Sequence, residues 1–489
     1  MKMKLLKFFA LEANLCMAAA WMPRVRASAR GFSHLAKSHS NDDKTTRNIR
    51  RDVLHGSVAA ASSMLFNTNS AVAEGYEPQL SSTEKPRSKR PSGKVAVIGA
   101  GWWSQGWHIP QLNRNPDAEL VAIAQHSEQP TSKLANLKSR TDLSQEYNVP
   151  WYNEITDVFD DPSIGPDLDG VVVTTPHSTH YAIGKTLLEE AHRRRKNREK
   201  PLNILMEKPM TANVKEAKKL HDLVTEYHQQ GGKGCFLVNH SANYREKAQI
   251  AREIVESGKL GRIQHMSAFF ASPLMEIFDD PDMKGWNEPS GDMLGNGFAW
   301  GQIAHMLGYI FHVCPDLEPQ KVFCQMSYDD KTGADIAHAA TITCTDCNEQ
   351  NVILSLSGTA LVPGGETEGV GKQARIQIYG RDGALLYAGN DSQYESGHME
   401  LRRVSTGGKI EKPAGDGFYF ENTKQEGNGP ESLQSFIDAC NGKEYYDGAG
   451  SLLGLKTVEV ISAMYRSAKS SKQEDVEYAN TGKSSIVDA

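Results

Sequence analysis

The feature that most constrains this 489-residue chain is a short β-branched run that turns directly into glycines. Lys94 to Ile98 has the composition of a strand buried on both faces. It runs into Gly99-Ala100-Gly101-Trp102-Trp103-Ser104, and the stretch from there through Leu112 can be helical. Strand, glycine turn and helix start together give a glycine fingerprint its meaning. Gly99 permits the tight turn, and Gly101 lets backbone approach a pyrophosphate on the helix amino end. Ser104 stands where a third glycine is usual and is small enough for helix–strand packing.

Such a unit implies a doubly wound parallel sheet, and further strands follow at Leu120–Ala124, Asp169–Thr174 and Ile204–Met206. The helix Asn213–His228 is expected to lead out of this first domain. The second strand should end in an acid that holds the adenosine ribose hydroxyls, but the chain has Gln125-His126-Ser127. Losing that charged hydrogen bond costs about 1.5–3 kcal/mol, and it removes repulsion against a 2′-phosphate. The expectation leans toward NADP over NAD, with His126 and Ser127 as phosphate contacts, although no arginine stands at this position in the sequence.

From Arg262 the periodicity changes. Strands are expected at Ile263–Ala271, Lys321–Tyr328, Ala337–Cys344, Asn351–Ser357, Ala374–Tyr379 and Ala384–Leu386, helices at Glu431–Asn441 and Leu452–Ser470, and a glycine-rich loop at Val362–Lys372. The fold class is therefore α/β, a doubly wound parallel sheet plus a second α+β domain with a mostly antiparallel open sheet. A face of that open sheet could pair with another subunit, giving a homodimer or homotetramer.

Composition excludes several classes. No run of 18 apolar residues exists, which argues against stable membrane insertion. The net charge of −6 understates the acidity of the body, because through Asn41 the only acid is Glu12. An acidic body argues against generic nucleic-acid binding. The basic run Arg193, Arg194, Arg195, Lys196 and Arg198 reads as a solvated helix end rather than an anion patch. Seven scattered cysteines do not form a disulfide framework, and Cys344-x-x-Cys347 lacks the partners of a metal site.

Residues 1–41 have the basic, nearly acid-free character of an organelle import segment. Arg50-Arg51, the apolar stretch Val53–Phe66 and Ala71-Val72-Ala73 resemble a twin-arginine export signal. Two readings stay open: a plastid route ending in the thylakoid lumen, or a simple transit peptide with a coincidental arginine pair, plastid or mitochondrial. The expected organisation is a leader and linker over 1–92 with cleavage near 73, a nucleotide domain over 93–212, a second domain over 213–475 and a flexible tail over 476–489.

Taken together, GAGWWS at 99–104, TTPHSTH at 174–180, EKP at 207–209 and Gly261-Arg262-Ile263 resemble the glucose–fructose oxidoreductase/inositol dehydrogenase/MocA family. The resemblance runs from about Gly93 to Ser470. Tyr465-Arg466-Ser467-Ala468 looks like the family's last helix, which packs back near a Rossmann-type nucleotide domain. The resemblance implies an NAD(P)-dependent oxidoreductase acting on a sugar, polyol or related hydroxyl or carbonyl compound. It places the catalytic lysine at Lys208, before a Pro209 often joined by a cis bond, and the catalytic histidine at His305. Relatives commonly carry aspartates four residues before and three after that histidine, where this chain has Gly301 and Gly308.

The implied cofactor set is Gly99, Gly101, Trp102, Trp103, Gln125, His126, Thr175, Pro176, His177, His180, Glu207 and Lys208. The implied substrate set is Tyr244, Arg245, Gln302 and His305, with Asn239 a further hydroxyl partner. Plain structural readings stand beside these: a core His305, His177 and His180 starting a helix, and Glu207 fixing a loop. The alternatives left open are a degenerate nucleotide-binding protein and an enzyme that uses its cofactor only transiently.

Overall fold

The computed structural model describes residues 92–130, 136–363, 371–390, 393, 395–418 and 431–477. All fall within one compact unit of the chain, Thr68–Ala489. The expected leader, linker and most of the tail lie outside the described residues, as does most of the glycine-rich loop.

Six parallel strands form the first sheet: β1 (Gly93–Ile98), β2 (Ala118–Ala124), β3 (Trp151–Tyr152), β4 (Gly170–Val173), β5 (Asn203–Met206) and β6 (Phe236–Val238). Their order is β3-β2-β1-β4-β5-β6. Val95, Val97, Val171, Val172 and Leu205 are fully buried, as expected for strands with both faces covered. The order reverses between β1 and β4, and ligands of such sheets bind outside the carboxyl ends at that switch. There Thr174 Oγ1 donates to the carbonyls of Ile98 and Gly99, 2.9 Å each.

The sheet does not stop at residue 212. Helix Val214–Gln229 returns the chain to β6, where the sequence reading has it leave the domain. Three residues, Phe236-Leu237-Val238, are too few to show a period. Gly234 before them permits a close approach, since a β-carbon there would lie 2.1 Å from the Leu202 carbonyl oxygen. The expected helix near the carboxyl end forms over Glu431–Cys440, but its place in the fold is unexpected. Its Leu433, Phe436 and Ile437 pack with Val95, Val97 and Val172 beneath the parallel sheet, although hundreds of residues separate them in sequence.

The second sheet comprises β7 (Ile263–Ala271), β8 (Glu318–Tyr328), β9 (Asp335–Thr345), β10 (Asn351–Thr359), β11 (Gln373–Gly380), β12 (Gly383–Asn390), β13 (His398–Arg403), β14 (Ile410–Glu411) and β15 (Glu474–Asp475). The order is β14-β13-β12-β11-β7-β10-β9-β8-β15. Pairing is antiparallel except between β7 and β10. The six strands expected from sequence are present. β13, β14 and β15 were not expected, being short or charged.

Helices Ala304–Val313 and Ser451–Ser470 bury one another's apolar sides and supply core to this sheet. The last helix also reaches back to the parallel sheet: a β-carbon on Gly454 would touch Met210 Sδ at 2.9 Å and Val238 at 3.1 Å. The basic run after Arg193 is spent on structure. Arg193 pairs with Glu190 and Glu199, and buried Arg194 pairs with Glu190 and the Leu168 and Gly165 carbonyls.

Candidate active site

The glycine turn after β1 has one packed side and one open side. Gly99 has φ +90°, and a β-carbon there would press within 3.0 Å of Thr174 and Thr175. At Gly101 the same position meets no atom within 4 Å, leaving the open approach that a pyrophosphate needs. The helix that follows begins with a wide turn over Ser104–His108. Ser104 Oγ is buried there without a protein partner.

Gln125, expected at the ribose, instead turns its Oε1 back to accept from the Ala100 amide at 2.8 Å. Its side chain braces the glycine turn. His126 is exposed and lies 3.5 Å from Glu154, while Ser127 donates to the Gln129 carbonyl. An arginine from the next helix lies against this end of β2. Arg140 donates through Nη1 to the carbonyls of Gln125 and His126 at 2.9 and 3.0 Å, and through Nε to Glu128.

The turn after β4 and the turn after β5 are tied together by His180. Its ring nitrogens lie 2.8 Å from the Pro209 carbonyl and 2.9 Å from that of Thr175. Thr175 Oγ1 accepts from Thr179, and Pro176 precedes the short turn His177–Thr179. His177 is buried edge-on to Trp286, and burial, with His180 and Lys208 nearby, pulls its pKa down to about 3.

Glu207 is a buried hub. Its Oε1 receives Asn239 Nδ2 at 2.6 Å, Trp103 Nε1 at 3.0 Å and stands 2.7 Å from His108 Nε2, while Oε2 takes the Lys208 amide at 3.2 Å. Burial alone would raise this carboxyl. The hydrogen bond and charge of His108, with Lys208 and Asn239, more than offset it and hold the pKa down to about 2. Asn239 is thus held through Nδ2 by Glu207 while its Oδ1 is buried without a protein partner, and Trp103 supports the same carboxylate.

Lys208 follows, joined to Pro209 by a cis bond. Its Nζ donates to the Gly301 carbonyl at 2.6 Å. Burial lowers its pKa to about 8, with Glu207 opposing the shift and Lys372 adding to it. Gly301 lies in the wide turn Ala299–Ile303 that opens the helix Ala304–Val313. Buried Asp335 pins the start of that turn by accepting from the Ala299 amide at 2.8 Å and from Tyr465 Oη.

One helical stripe, positions 301, 305 and 308, faces the same way. It carries the Lys208 contact, then His305, then Gly308 against the ring of His240. Burial is the main cause that drives the His305 pKa well below its usual value, with Lys208, Lys372, His240 and Arg245 adding positive charge nearby. Gln302 Oε1 is buried beside it without a protein partner. Tyr244 is not brought to this group; it packs on Gly448 and edge-on to Tyr446.

Sequence reasoning missed His108, Arg140, His240, Trp286 and Asp335. Only His108 left a local signal, sitting four residues after Ser104 on the fingerprint helix. The others act across long separations.

The parallel sheet with its glycine turn, and the lysine aimed at a second, open-sheet half, define the class of two-domain dinucleotide-binding oxidoreductase folds. Comparison with known proteins agrees. The oxidoreductase-family NAD-binding Rossmann-fold profile matches residues 93–232, and the family's C-terminal-domain profile matches 248–386. The chain belongs to the glucose–fructose oxidoreductase/inositol dehydrogenase/MocA oxidoreductase family.

It is 23% identical to the scyllo-inositol 2-dehydrogenase (NADP(+)) IolW of Bacillus subtilis over 64% of this chain and 73% of that one. It is 21% identical to the D-xylose 1-dehydrogenase [NADP(+)] of Haloarcula marismortui over 39% of this chain and 46% of that one. The chain spans about half the length of the first curated relatives that it matches. Among solved structures, the aldose-aldose oxidoreductase of Caulobacter crescentus shares the fold with a TM-score of 0.55 and 17% identity, covering 79% of this chain and 100% of that one.

Proposed function

We propose that the protein is an NAD(P)-dependent oxidoreductase acting on a CH–OH group of a sugar or polyol, or on the corresponding carbonyl. The observation that carries this reading is Lys208, desolvated to a pKa of about 8 and placed at the carboxyl end of β5. The residues present fit a dinucleotide. Gly101 leaves open space at a helix start, and buried Ser104 Oγ beneath that turn lacks a partner. Gly99, Gly101, Thr175, Pro176 and Lys208 would hold it, with Trp102 and His177 at its edge. When bound, the nicotinamide supplies the two-electron acceptor or donor.

This chain's own residues handle the proton. With a pKa near 8, Lys208 is neutral in part at physiological pH and can take or return a substrate hydroxyl proton. His305, kept neutral by burial, can share a hydrogen bond with the same hydroxyl, and Gln302 and Arg245 orient neighbouring groups. Glu207 acts as a positioning residue, fixing the backbone from which Lys208 projects.

Cofactor preference is read as NADP over NAD. Glu128, the first acid in sequence after β2, is taken by Arg140 and Thr141 rather than offered to a ribose. Fluorescence titration with NADPH and NADH tests this. Tighter NADPH binding supports the reading, the reverse overturns the preference, and no binding of either overturns the enzyme.

The open sheet supports a homodimer or homotetramer. Phe269, Phe323, Ile353 and Tyr379 lie exposed on β7, β8, β10 and β11, and the register of His265 with both Ile353 and Tyr379 puts these on one face. Light scattering with and without Phe323→Glu checks it. The basic leader supports a plastid destination, testable by fusing residues 1–92 to a fluorescent reporter. Among the described residues, no helix is long and apolar enough to cross a membrane.

A further inference from the structure

Two half-buried indoles meet where the two halves of the protein face each other. Trp102 comes from the glycine turn, and Trp286 from the short helix Lys284–Asn287, which lies between β7 and the His305 helix. Their ring centroids are 6.4 Å apart, tilted by 52°, and His177 stands edge-on to Trp286 at 6.3 Å. Trp286 is held in place by its own segment. Asn287 Nδ2 donates to the Asp280 carbonyl, and Asn296 Nδ2 to those of Gly285 and Glu288.

Trp286 also marks the position of Lys208. A β-carbon on Gly301 would lie 3.5 Å from the Trp286 ring and 3.4 Å from Phe278, and Lys208 Nζ bonds the carbonyl of that same glycine. Aromatic rings therefore flank position 301, and glycine puts no carboxylate there to accept a substrate hydroxyl. Indole faces carry partial negative charge, and C–H bonds on oxygen-bearing carbons carry partial positive charge. A saturated ring that presents such hydrogens as a flat face matches this surface. An open chain of hydroxyls would leave polar groups unpaired against it.

Resting on the oxidoreductase reading, we propose that Trp286 is the residue that selects the substrate. It stacks on the C–H face of a saturated six-membered ring, a pyranose or cyclitol, and disfavours open-chain polyols. Trp102 faces it from the nucleotide side.

The test compares the wild-type chain with Trp286→Leu and Trp286→Phe, using scyllo-inositol and D-xylose as ring probes, xylitol as the open-chain probe, and NADPH binding as a separate readout. Trp286→Leu is expected to raise KM for the ring probes roughly tenfold, about 1.4 kcal/mol, with a much smaller fall in kcat. Trp286→Phe should recover most of the loss. KM for xylitol and the NADPH dissociation constant should stay within about twofold of wild type. Equal losses for xylitol and the rings, or unchanged ring KM, would overturn the proposal. A weakened NADPH affinity would assign the indole to the cofactor and overturn it as well.

If the wild type turns over none of these compounds, the oxidoreductase reading has failed on its own. The role of Trp286 then rests on calorimetric binding of scyllo-inositol to the NADPH-loaded protein, which Trp286→Leu must weaken roughly tenfold for the proposal to survive.

Discussion

A β-carbon placed on Gly308 would lie 2.4 Å from Nδ1 of His240 and 2.7 Å from its Cγ. The glycine and the histidine are one packing unit, although 68 positions separate them in the sequence. The aspartate that the family resemblance expects at 308 has no room, because an imidazole fills its place. The ring is buried, and burial chiefly holds its pKa down to about 3. The missing carboxylate is thus a substitution of one buried polar group for another beside His305, and not an empty site.

This pairing predicts a coupled effect. Gly308→Ala should destabilise the protein by about 1–3 kcal/mol through overpacking. In a His240→Ala background the same change should cost less than about 0.5 kcal/mol, measured by denaturant unfolding of the four proteins. Additive costs would show that the two residues do not share the space.

Glu207 predicts an acid limit to stability. Its folded pKa, about 2, is below the ordinary 4.5, so its contribution is fully present above 4.5 and is lost as pH falls toward 2. Glu207→Gln should flatten that part of the stability–pH curve. At neutral pH it should cost about 1.5–3 kcal/mol, the range for hydrogen bonds to a charged group. Thermal unfolding across pH 3–7 measures both.

Arg140 predicts a cofactor effect without a change in chemistry. Arg140→Ala removes the guanidinium held at the end of β2. NADPH affinity should fall by roughly tenfold or more, the scale of a charge-assisted hydrogen bond, and NADH affinity should fall less. Equal losses would mean that the arginine supports only the backbone there.

Much of this was legible in the sequence, for physical reasons. β1 and the glycine turn are local, and so are the alternating strands β7 to β12. Lys208 could be proposed because EKP, just after a recognisable strand, carries the family resemblance. β6 was missed because three residues show no period, and helix Glu431–Cys440 could be seen as a helix but not assigned to the parallel sheet. Glu207 illustrates the limit best. The sequence offered it as either a cofactor contact or a loop anchor, and its partners His108, Trp103 and Asn239 come from segments that only the fold brings together. Gln125 shows another limit: its identity was informative, but that its Oε1 turns back to the Ala100 amide could not be read from the sequence.

The most direct test of the central claim is the pH dependence of alcohol oxidation by the wild type and by Lys208→Ala, followed as reduced nicotinamide forms from scyllo-inositol or D-xylose. A folded pKa of about 8, below the ordinary 10.5, makes the base form scarce at pH 7 and dominant by pH 9. Wild-type kcat/KM should rise through pH 8 and then level off. Lys208→Ala should lose roughly 10²–10⁴-fold and the pH 8 limb with it. A Lys208→Ala enzyme as fast as wild type, with the same pH profile, would contradict the assignment of Lys208 as the proton-transfer residue.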